Sequence, residues 1–293
     1  MTLLQRFARF AVLALSLLAL PGVTLAQPAL WVAQSGESTL YLFGTVHLLP
    51  DHTDWRSKQL DKALDASQTL YIELTDDNQA NVQMLALKYG LDLSRPLSSK
   101  VNAADMTRLQ RAAQVAGLPG GEATLEPMRP WLAGLTLSVA PLLKAGMDPN
   151  SGVDKQLKAQ FEKAGKPVKG LETSEQQIRF FADMPPAMEL AFLRSVLKDF
   201  GSAKKDLNEL IGYWQNGNVD AIAQKADLKL RKDDPALYKR LIADRNARWG
   251  EKLHTIMQTP GVYFVAVGAA HLAGPDSVQK QLAALGIQAK RLP

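Results

Sequence analysis

Two apolar, strand-like runs of this sequence end in the same pattern, Gly-x-x-His-Leu. The first run is Tyr41–Pro50 (YLFGTVHLLP) and the second is Val262–Leu272 (VYFVAVGAAHL). Aromatic and β-branched residues that stop at a glycine are typical of a buried strand, and a strand that ends there presents its histidine to the loop beyond it. The sequence therefore predicts two strands that each deliver a histidine, His47 and His271, to the edge of a sheet.

Strand-like segments lie on both sides of a long helical region, at Ala29–Ala33, Thr39–Val46, Thr69–Leu74 and Ile287–Leu292. A strand, a short helix and a second strand between Leu40 and Leu74 form a β-α-β unit, and a crossover of this kind joins parallel strands. We predict an α/β fold whose N- and C-terminal segments form a mixed or mostly parallel central sheet, with a large, mostly helical insertion at about residues 78–257. One short strand candidate, Pro167–Leu171, lies inside that insertion.

The first 26 residues have the features of a secretory signal peptide. Arg6 and Arg9 form a basic start, and Phe10–Leu20 is an apolar run of about eleven residues, shorter than the roughly 20 that a membrane-spanning helix needs. We expect cleavage after Ala26, export to the periplasm or secretion, and a single mature domain at 27–293. The alternative is an uncleaved membrane anchor.

One segment of the mature chain is almost uniformly apolar, Trp131–Leu143. Its short length and its internal proline, Pro141, favour a buried or lid-like helix over a membrane span. We therefore expect no transmembrane span in the mature protein.

Charge and cysteine content exclude several kinds of protein. Without Arg6 and Arg9 the net charge falls from +5 to +3, and the other Lys and Arg residues are scattered among Asp and Glu. No basic stripe with interleaved aromatic residues is present, so we expect no nucleic-acid partner. The chain contains no cysteine, which excludes disulfides, a thiol nucleophile and a lipid-bearing cysteine. Any metal site must use His, Asp, Glu or water as ligands.

The two histidines and one glutamate form the main candidate site. Neutral imidazole is the commonest metal ligand, and a glycine three residues before each histidine lets the backbone bend or approach another group closely. Glu73 ends a third strand at the same expected edge, where a carboxylate could bind a metal or act as a general base. We predict that His47, His271 and Glu73 converge to bind one divalent ion. The alternative is two ordinary strand-end histidines bonded to backbone carbonyls, and a solvated glutamate.

A single arginine, Arg245, interrupts an apolar helical stripe. The stripe follows steps of three and four residues and consists of Tyr238, Ile242, Arg245, Trp249, Leu253 and Ile256. A buried guanidinium needs an anionic partner, so we predict that Arg245 reaches inward to Glu73 or awaits a substrate carboxylate. The alternative is that its side chain extends to the surface. His254 lies on the opposite helix face and His52 in a polar loop, and we expect a site role for neither.

A series of short motifs runs in a fixed order through the mature chain. The motifs are Trp31, YLFGTVHLLP, YIEL with Glu73, Gly152-Val153-Asp154, Gly170-Leu171-Glu172-Thr173 with Gln177, Asp244-Arg245-Asn246, and VGAAHLAG with His271. In this order and spacing they resemble the TraB/GumN family over nearly the whole mature chain. Neither Gly-x-x-His motif departs from the family pattern.

The resemblance implies a fold shared with erythromycin-esterase-like and ChaN-like proteins, and kinship with the Tiki proteins. The Tiki proteins are described as metal-dependent proteases that use two Gly-x-x-His motifs and a glutamate. Carried to this sequence, the resemblance assigns a metal site (Mn, Co or Zn) to His47, His271 and Glu73. It also assigns Glu73, with Arg245 and Asn246 as supporting residues, to catalysis.

Two further acidic residues, Asp154 and Glu172, match family positions and are either functional or structural, for instance as helix caps. The expected function is a metal-dependent hydrolase, foremost a peptidase acting on a peptide or protein. The alternatives are a non-catalytic metal, iron or haem binding protein of the cell envelope, and an interaction protein in which the histidine pair is a relic. The sequence does not specify the oligomeric state.

Overall fold

Six strands form one sheet in the part of the chain that the structure describes. The structure is a computed structural model and describes residues 27–50 and 53–293, so the expected signal peptide and His52 lie outside the described residues. The strands are β1 (Leu30–Ser35), β2 (Ser38–Thr45), β3 (Thr69–Ile72), β4 (Val168–Gly170), β5 (Gly261–Gly268) and β6 (Ala289–Arg291). They lie in the order β4-β3-β5-β2-β1-β6.

The sheet is mixed and mostly parallel, which confirms the predicted fold class. The pairs β2–β5, β3–β5 and β3–β4 are parallel, whereas β1 runs antiparallel to both β2 and β6. The two strands of the predicted β-α-β unit, β2 and β3, are parallel but not adjacent, because β5 from the C-terminal segment lies between them. The helical insertion contributes one strand, β4, at the position of the predicted short strand.

Helices cover the sheet and fill the insertion. The helices of the described residues are α1 (Lys58–Ala66), α2 (Gln79–Gly90), α3 (Ala103–Ala116), α4 (Pro130–Lys144), α5 (Val153–Lys163), α6 (Ser174–Ala182), α7 (Pro186–Asp199), α8 (Ala203–Gln215), α9 (Val219–Ile222), α10 (Lys229–Asp233), α11 (Pro235–Tyr238), α12 (Asp244–Ile256) and α13 (Val278–Ala284). A π-helical turn, Ala223–Leu228, joins α9 to α10, and a second, Lys239–Ala243, joins α11 to α12. The predicted long helix that carries Arg245 is therefore continuous, with a π turn just before that residue.

The sequence also predicts a helix from Trp55 to Ala66 with Asp54 as its cap, but α1 begins later, at Lys58. Ser57 is the cap, because its side chain accepts a hydrogen bond from the Leu60 N–H. The Trp55 side chain is 4% exposed and packs on Phe43, with ring centroids 6.0 Å apart. Packing of the indole under the sheet keeps this segment extended and delays the helix.

Side chains alternate between the two faces of the sheet, and each face packs on helices. One face buries Phe43, Leu70, Ile72, Ala266 and Phe264 against α1, α5 and α8. The other face buries Leu40, Leu42, Tyr71, Val265 and Val267 against α12 and α13. Each large apolar side chain that is fully buried stabilises the fold by roughly 1.5–3 kcal/mol. The sheet is thus the middle layer of three, and its edges are where polar groups can collect.

The insertion has its own apolar clusters. One packs α3, α4 and α7 together through residues such as Leu109, Leu137 and Leu193. A second surrounds Trp131 and Ile178. The first half of α4 is therefore buried, whereas Leu143 near its end is 45% exposed. Within the described residues, no helix combines the length and the apolar character that crossing a bilayer requires.

Candidate functional site

The carboxyl ends of β2, β3 and β5 lie at one edge of the sheet. Thr45 at the end of β2 pairs with Gly268 at the end of β5, and Ile72 at the end of β3 pairs with Ala266. His47 and Glu73 follow directly, and His271 lies in the short 3₁₀ helix after β5. Parallel strands thereby bring three distant segments to one place.

The three predicted side chains converge on Gly268. A Cβ atom added there would lie 3.2 Å from Glu73 Oε1 and 3.6 Å from both His47 Nε2 and His271 Cδ2. A side chain at this position would fill the space that the three share. The structure thus brings His47, His271 and Glu73 together, as the strand pattern led us to expect.

The glycine of the first motif, Gly44, permits this convergence by close approach. A Cβ atom on Gly44 would lie 3.0 Å from Ala269 Cα, closer than a rigid backbone tolerates. The two Gly-x-x-His motifs therefore pack against each other through their own backbones. This contact is the physical role that the sequence pattern suggested for the glycine.

His47 is the accessible member of the cluster, with 57% of its side chain exposed. Its Nδ1 lies 3.0 Å from Asp154 Oδ1, and its Nε2 lies 3.9 Å from Glu73 Oε1. Asp154 is held in place because the adjacent Val153 N–H donates to the Val46 carbonyl. Partial desolvation of the ring lowers the pKa of His47. The hydrogen bond to Asp154 and the negative charge of Glu73 outweigh this effect and raise the pKa to about 9.

His271 is the buried member, 5% exposed, with its ring centroid 4.5 Å from that of Trp249. Its Nδ1 lies 2.6 Å from Asn246 Oδ1. The Asn246 amide group donates to the carbonyls of His271 and Asp276, so Oδ1 is its acceptor and His271 Nδ1 carries the proton. The ring's Nε2 accepts from Arg245 Nη1 at 3.0 Å. Burial and the Arg245 charge lower the pKa of His271 to about 3, which keeps the imidazole neutral.

Glu73 is held as a carboxylate by donors on both oxygens. Oε1 accepts from the Gly268 N–H at 2.8 Å. Oε2 accepts from Arg245 Nη2 at 2.7 Å and from Gln177 Nε2 at 3.0 Å. Burial opposes ionisation, but the Arg245 guanidinium and the neighbouring donors hold the pKa of Glu73 well below its usual range.

Arg245 points inward and is 8% exposed, as the apolar stripe predicted. It forms an ion pair with Glu73, and its Nε and Nη2 donate to Glu172 at 3.1 and 2.8 Å. The guanidinium also stacks on Trp249, 4.7 Å from the ring centroid. One cation is therefore shared by two buried carboxylates, an arrangement that fixes the position of both.

The supporting residues have defined contacts. Asn246 is fully buried and touches His271 rather than open space, so it positions the ring. Glu172 does not cap a helix, since Thr173 and Gln176 form the capping box of α6. Asp154 likewise makes no cap bond, because Gly152 is the N-cap of α5 and Asp154 orients His47 instead.

Sequence reasoning missed the partnership between Arg245 and Glu172. The sequence indicated this partnership only indirectly: a buried Arg245 has five N–H donors, more than Glu73 alone can accept. It also missed the contact of the Trp249 ring with His271, although Trp249 belongs to the same stripe as Arg245. His254 lies away from these residues, and its backbone carbonyl accepts from Gln258.

Two imidazoles and a carboxylate are ligand types that divalent cations accept, and in this cluster all three side chains lie beside Gly268. In the present arrangement no group of three or more His, Asp or Glu residues among 27–50 and 53–293 is placed to hold an ion. In this arrangement Arg245 donates to His271 Nε2, and both Glu73 oxygens accept hydrogen bonds. Ligation through His271 therefore requires Arg245 Nη1 to leave that nitrogen.

Comparison with known proteins places this α/β chain in a family. The TraB/PrgY/gumN family model matches residues 29–291, and the chain belongs to that family. It is 27% identical over 257 residues to the uncharacterized protein YbaP of Escherichia coli strain K12, covering 87% of this chain and 92% of YbaP. It is 22% identical over 268 residues to an uncharacterized protein of Treponema pallidum strain Nichols, covering 85% of this chain and 78% of that protein. No solved structure matches the chain.

Proposed function

We propose that this protein is a metal-dependent hydrolase that cleaves peptide bonds, with His47, His271 and Glu73 holding one Mn, Co or Zn ion. One observation carries the proposal. Each histidine ring has its Nδ1 hydrogen-bonded to a side-chain oxygen, that of Asp154 for His47 and that of Asn246 for His271. Both rings lie beside Gly268. Metal-binding histidines almost always have such a partner on the second nitrogen, because it fixes the tautomer and leaves Nε2 as the ligand atom.

The charge of the cluster also favours a cation. Glu73, Glu172 and Asp154 contribute three carboxylates, whereas the cations beside them are Arg245 and, below its pKa of about 9, His47. An added positive ion would reduce the repulsion among these carboxylates.

The residues of the cluster would have different roles in hydrolysis. A bound divalent ion supplies Lewis-acid chemistry, lowering the pKa of water and polarising a carbonyl oxygen. Glu73 stays ionised at neutral pH, which suits it to hold the cation through an anionic carboxylate oxygen. Arg245 keeps Glu73 anionic and in place, and Asp154 and Asn246 orient the two rings. His47 is the most exposed member of the cluster and marks the side from which a peptide approaches.

We further propose that the protein shares its ancestry with the Tiki proteases and ChaN-like proteins and that it acts outside the cytoplasm. The first part is supported by the two packed Gly-x-x-His motifs with their glutamate. The second part rests on the basic and apolar pattern of residues 1–26.

The experiment measures metal content and peptide cleavage on the mature protein purified without added metal. We expect one tightly held divalent ion per chain, loss of cleavage on chelation, and recovery on adding Mn, Co or Zn. His47→Ala is the diagnostic variant, because an exposed side chain contributes little to folding, and it should lose both metal and activity. His254→Ala, which changes a histidine away from the cluster, is the matched control.

The outcomes separate the functions. Full cleavage by chelated protein or by the His47→Ala variant would contradict the metal-dependent hydrolase. Metal or haem binding that is lost in His47→Ala, without cleavage of any peptide in a diverse library, would support the non-catalytic binding protein instead.

A further inference from the structure

A groove on the helical insertion gathers six cationic side chains. It lies between α3, α4, α7 and the start of α8, and its volume is about 1220 Å³. The cations that line it are Arg108, Arg111, Lys144, Arg194, Lys198 and Lys204. None of them belongs to the cluster around Gly268. The fold thus concentrates at one surface the positive charge that is scattered in the sequence.

The floor of the groove is apolar. Ala112 and Val115 of α3 lie on the same helix face as Arg108 and Arg111, at spacings of three and four residues. Val115 is 54% exposed, and Leu197 and Phe200 also line the groove. A ligand that fits this surface must offer apolar groups to the floor and anionic groups to the rim.

Several of the cations are held in position by the protein. The buried Asp105 accepts from Arg194 Nε at 2.7 Å and from Arg108 Nη1 at 3.5 Å, which links α3 to α7. Lys144 Nζ donates to the Val115 carbonyl at 2.9 Å, near the C-terminus of α3. The rim is therefore partly ordered before any ligand arrives, which reduces the entropy lost on binding.

The remaining charges leave a cationic excess. The two carboxylates of the lining, Asp199 and Asp233, both pair with Lys229, at 3.0 and 3.2 Å. Arg111, Lys198 and Lys204 are exposed and form no ion pair with any other described residue. Three positive charges above an apolar floor are thus available to an anionic partner.

We propose that this groove binds an acidic, amphipathic segment of a polypeptide. Its volume exceeds the roughly 300–1,000 Å³ of small-molecule clefts, which favours a chain segment. Its concave shape favours a peptide over a flat bilayer. Among the residues that the structure describes, Phe200 alone gives the lining an aromatic ring, which is too little to stack successive bases of a nucleic acid. An amphipathic helix lying in a groove places apolar side chains on the floor and carboxylates at the rim.

The test uses a fluorescein-labelled peptide of about 15 residues with Leu and Glu at helical spacing, and fluorescence anisotropy as the readout. The binding variant is Arg111→Glu, Lys198→Glu, Lys204→Glu in the full mature chain. Reversing three rim charges should weaken binding by at least about tenfold, and higher ionic strength should weaken binding to the unchanged protein. A peptide with Lys in place of Glu should not bind.

A control with the same change in net charge separates local from overall electrostatics. Lys62→Glu, Lys163→Glu, Lys290→Glu reverses three exposed lysines outside the groove that form no ion pair with other described residues. This control should bind the acidic peptide within about twofold of the unchanged protein, because its lysines lie on α1, α5 and β6, which contribute no residue to the groove lining. Far-UV circular dichroism and thermal unfolding establish that both triple variants are folded. If the groove variant does not fold, Lys198→Glu alone replaces it, with Lys62→Glu as its control.

Three results would overturn the proposal. The first is acidic-peptide binding that the groove variant leaves unchanged. The second is an equal loss in the groove and control variants, which would show a response to net charge alone. The third is groove-dependent binding of a single-stranded oligonucleotide or of phosphatidylglycerol vesicles without binding of the acidic peptide.

Discussion

Replacing Arg245 by alanine removes the one cation that two buried carboxylates share. Glu73 and Glu172 have 11% and 5% of their side chains exposed and lie 2.7 and 2.8 Å from Arg245 Nη2. After the substitution both carboxylates would remain in a poorly solvated position without their partner. They would then have to recruit water, take up a proton or move.

The expected loss of stability follows from this burial. Breaking a buried ion pair by removing one partner costs about 3–5 kcal/mol, because the other charge stays buried. Arg248 is the matched control on the same helix. It is 52% exposed and lies 3.9 Å from Glu172, so Arg248→Ala should cost about 0–1 kcal/mol.

Urea unfolding at neutral pH, followed by far-UV circular dichroism on metal-free protein, measures both variants. Adding Glu172→Gln to Arg245→Ala should recover part of the loss, since it removes one of the unpaired charges; the coupling energy should be about 0.5–3 kcal/mol. Equal losses in Arg245→Ala and Arg248→Ala, or no coupling with Glu172, would refute the assignment of Arg245 as the shared buried cation.

Three further predictions concern the cluster and the interior. Gly268→Ala places a methyl group between the converging side chains and should lower metal affinity at least about tenfold, measured by calorimetry, whereas Gly212→Ala, with open space around it, should not. Asp154→Ala should lower metal affinity about 10- to 100-fold by releasing the His47 ring, with an unfolding free energy within about 1 kcal/mol of the unchanged protein. Burial raises the pKa of Asp227 from 3.8 to about 8, so its contribution is complete below pH 3.8 and lost as the pH rises through 8. The unfolding free energy of the unchanged protein relative to Asp227→Asn should therefore fall by on the order of 1 kcal/mol per pH unit between roughly pH 5 and 7, and a flat difference would show that Asp227 does not take up a proton on folding.

Local periodicity was sufficient to predict the elements that carry the site. The alternation of side chains along the predicted strand Thr69–Leu74 places Leu70 and Ile72 on the face opposite Tyr71, and the structure buries them on different faces of the sheet. A helix cap is also local, as at Asn102, whose side chain accepts from the Asp105 N–H at the start of α3. The spacing of Arg245 within an apolar stripe predicted its inward direction. These features depend on neighbours within one or two turns, so the sequence contains them directly.

Long-range packing decided the rest. No local pattern shows that β5 inserts between β2 and β3, because each strand presents similar backbone donors and acceptors to any parallel neighbour. The sharing of Arg245 between Glu73 and Glu172 joins residues that are far apart in the chain, and spacing cannot rank such partners. The six cations of the insertion groove likewise come from four helices and meet only because those helices pack together. Sequence alone determined which side chains were available, and the tertiary structure determined which of them meet, because contacts between distant segments depend on the packing of all the elements between them.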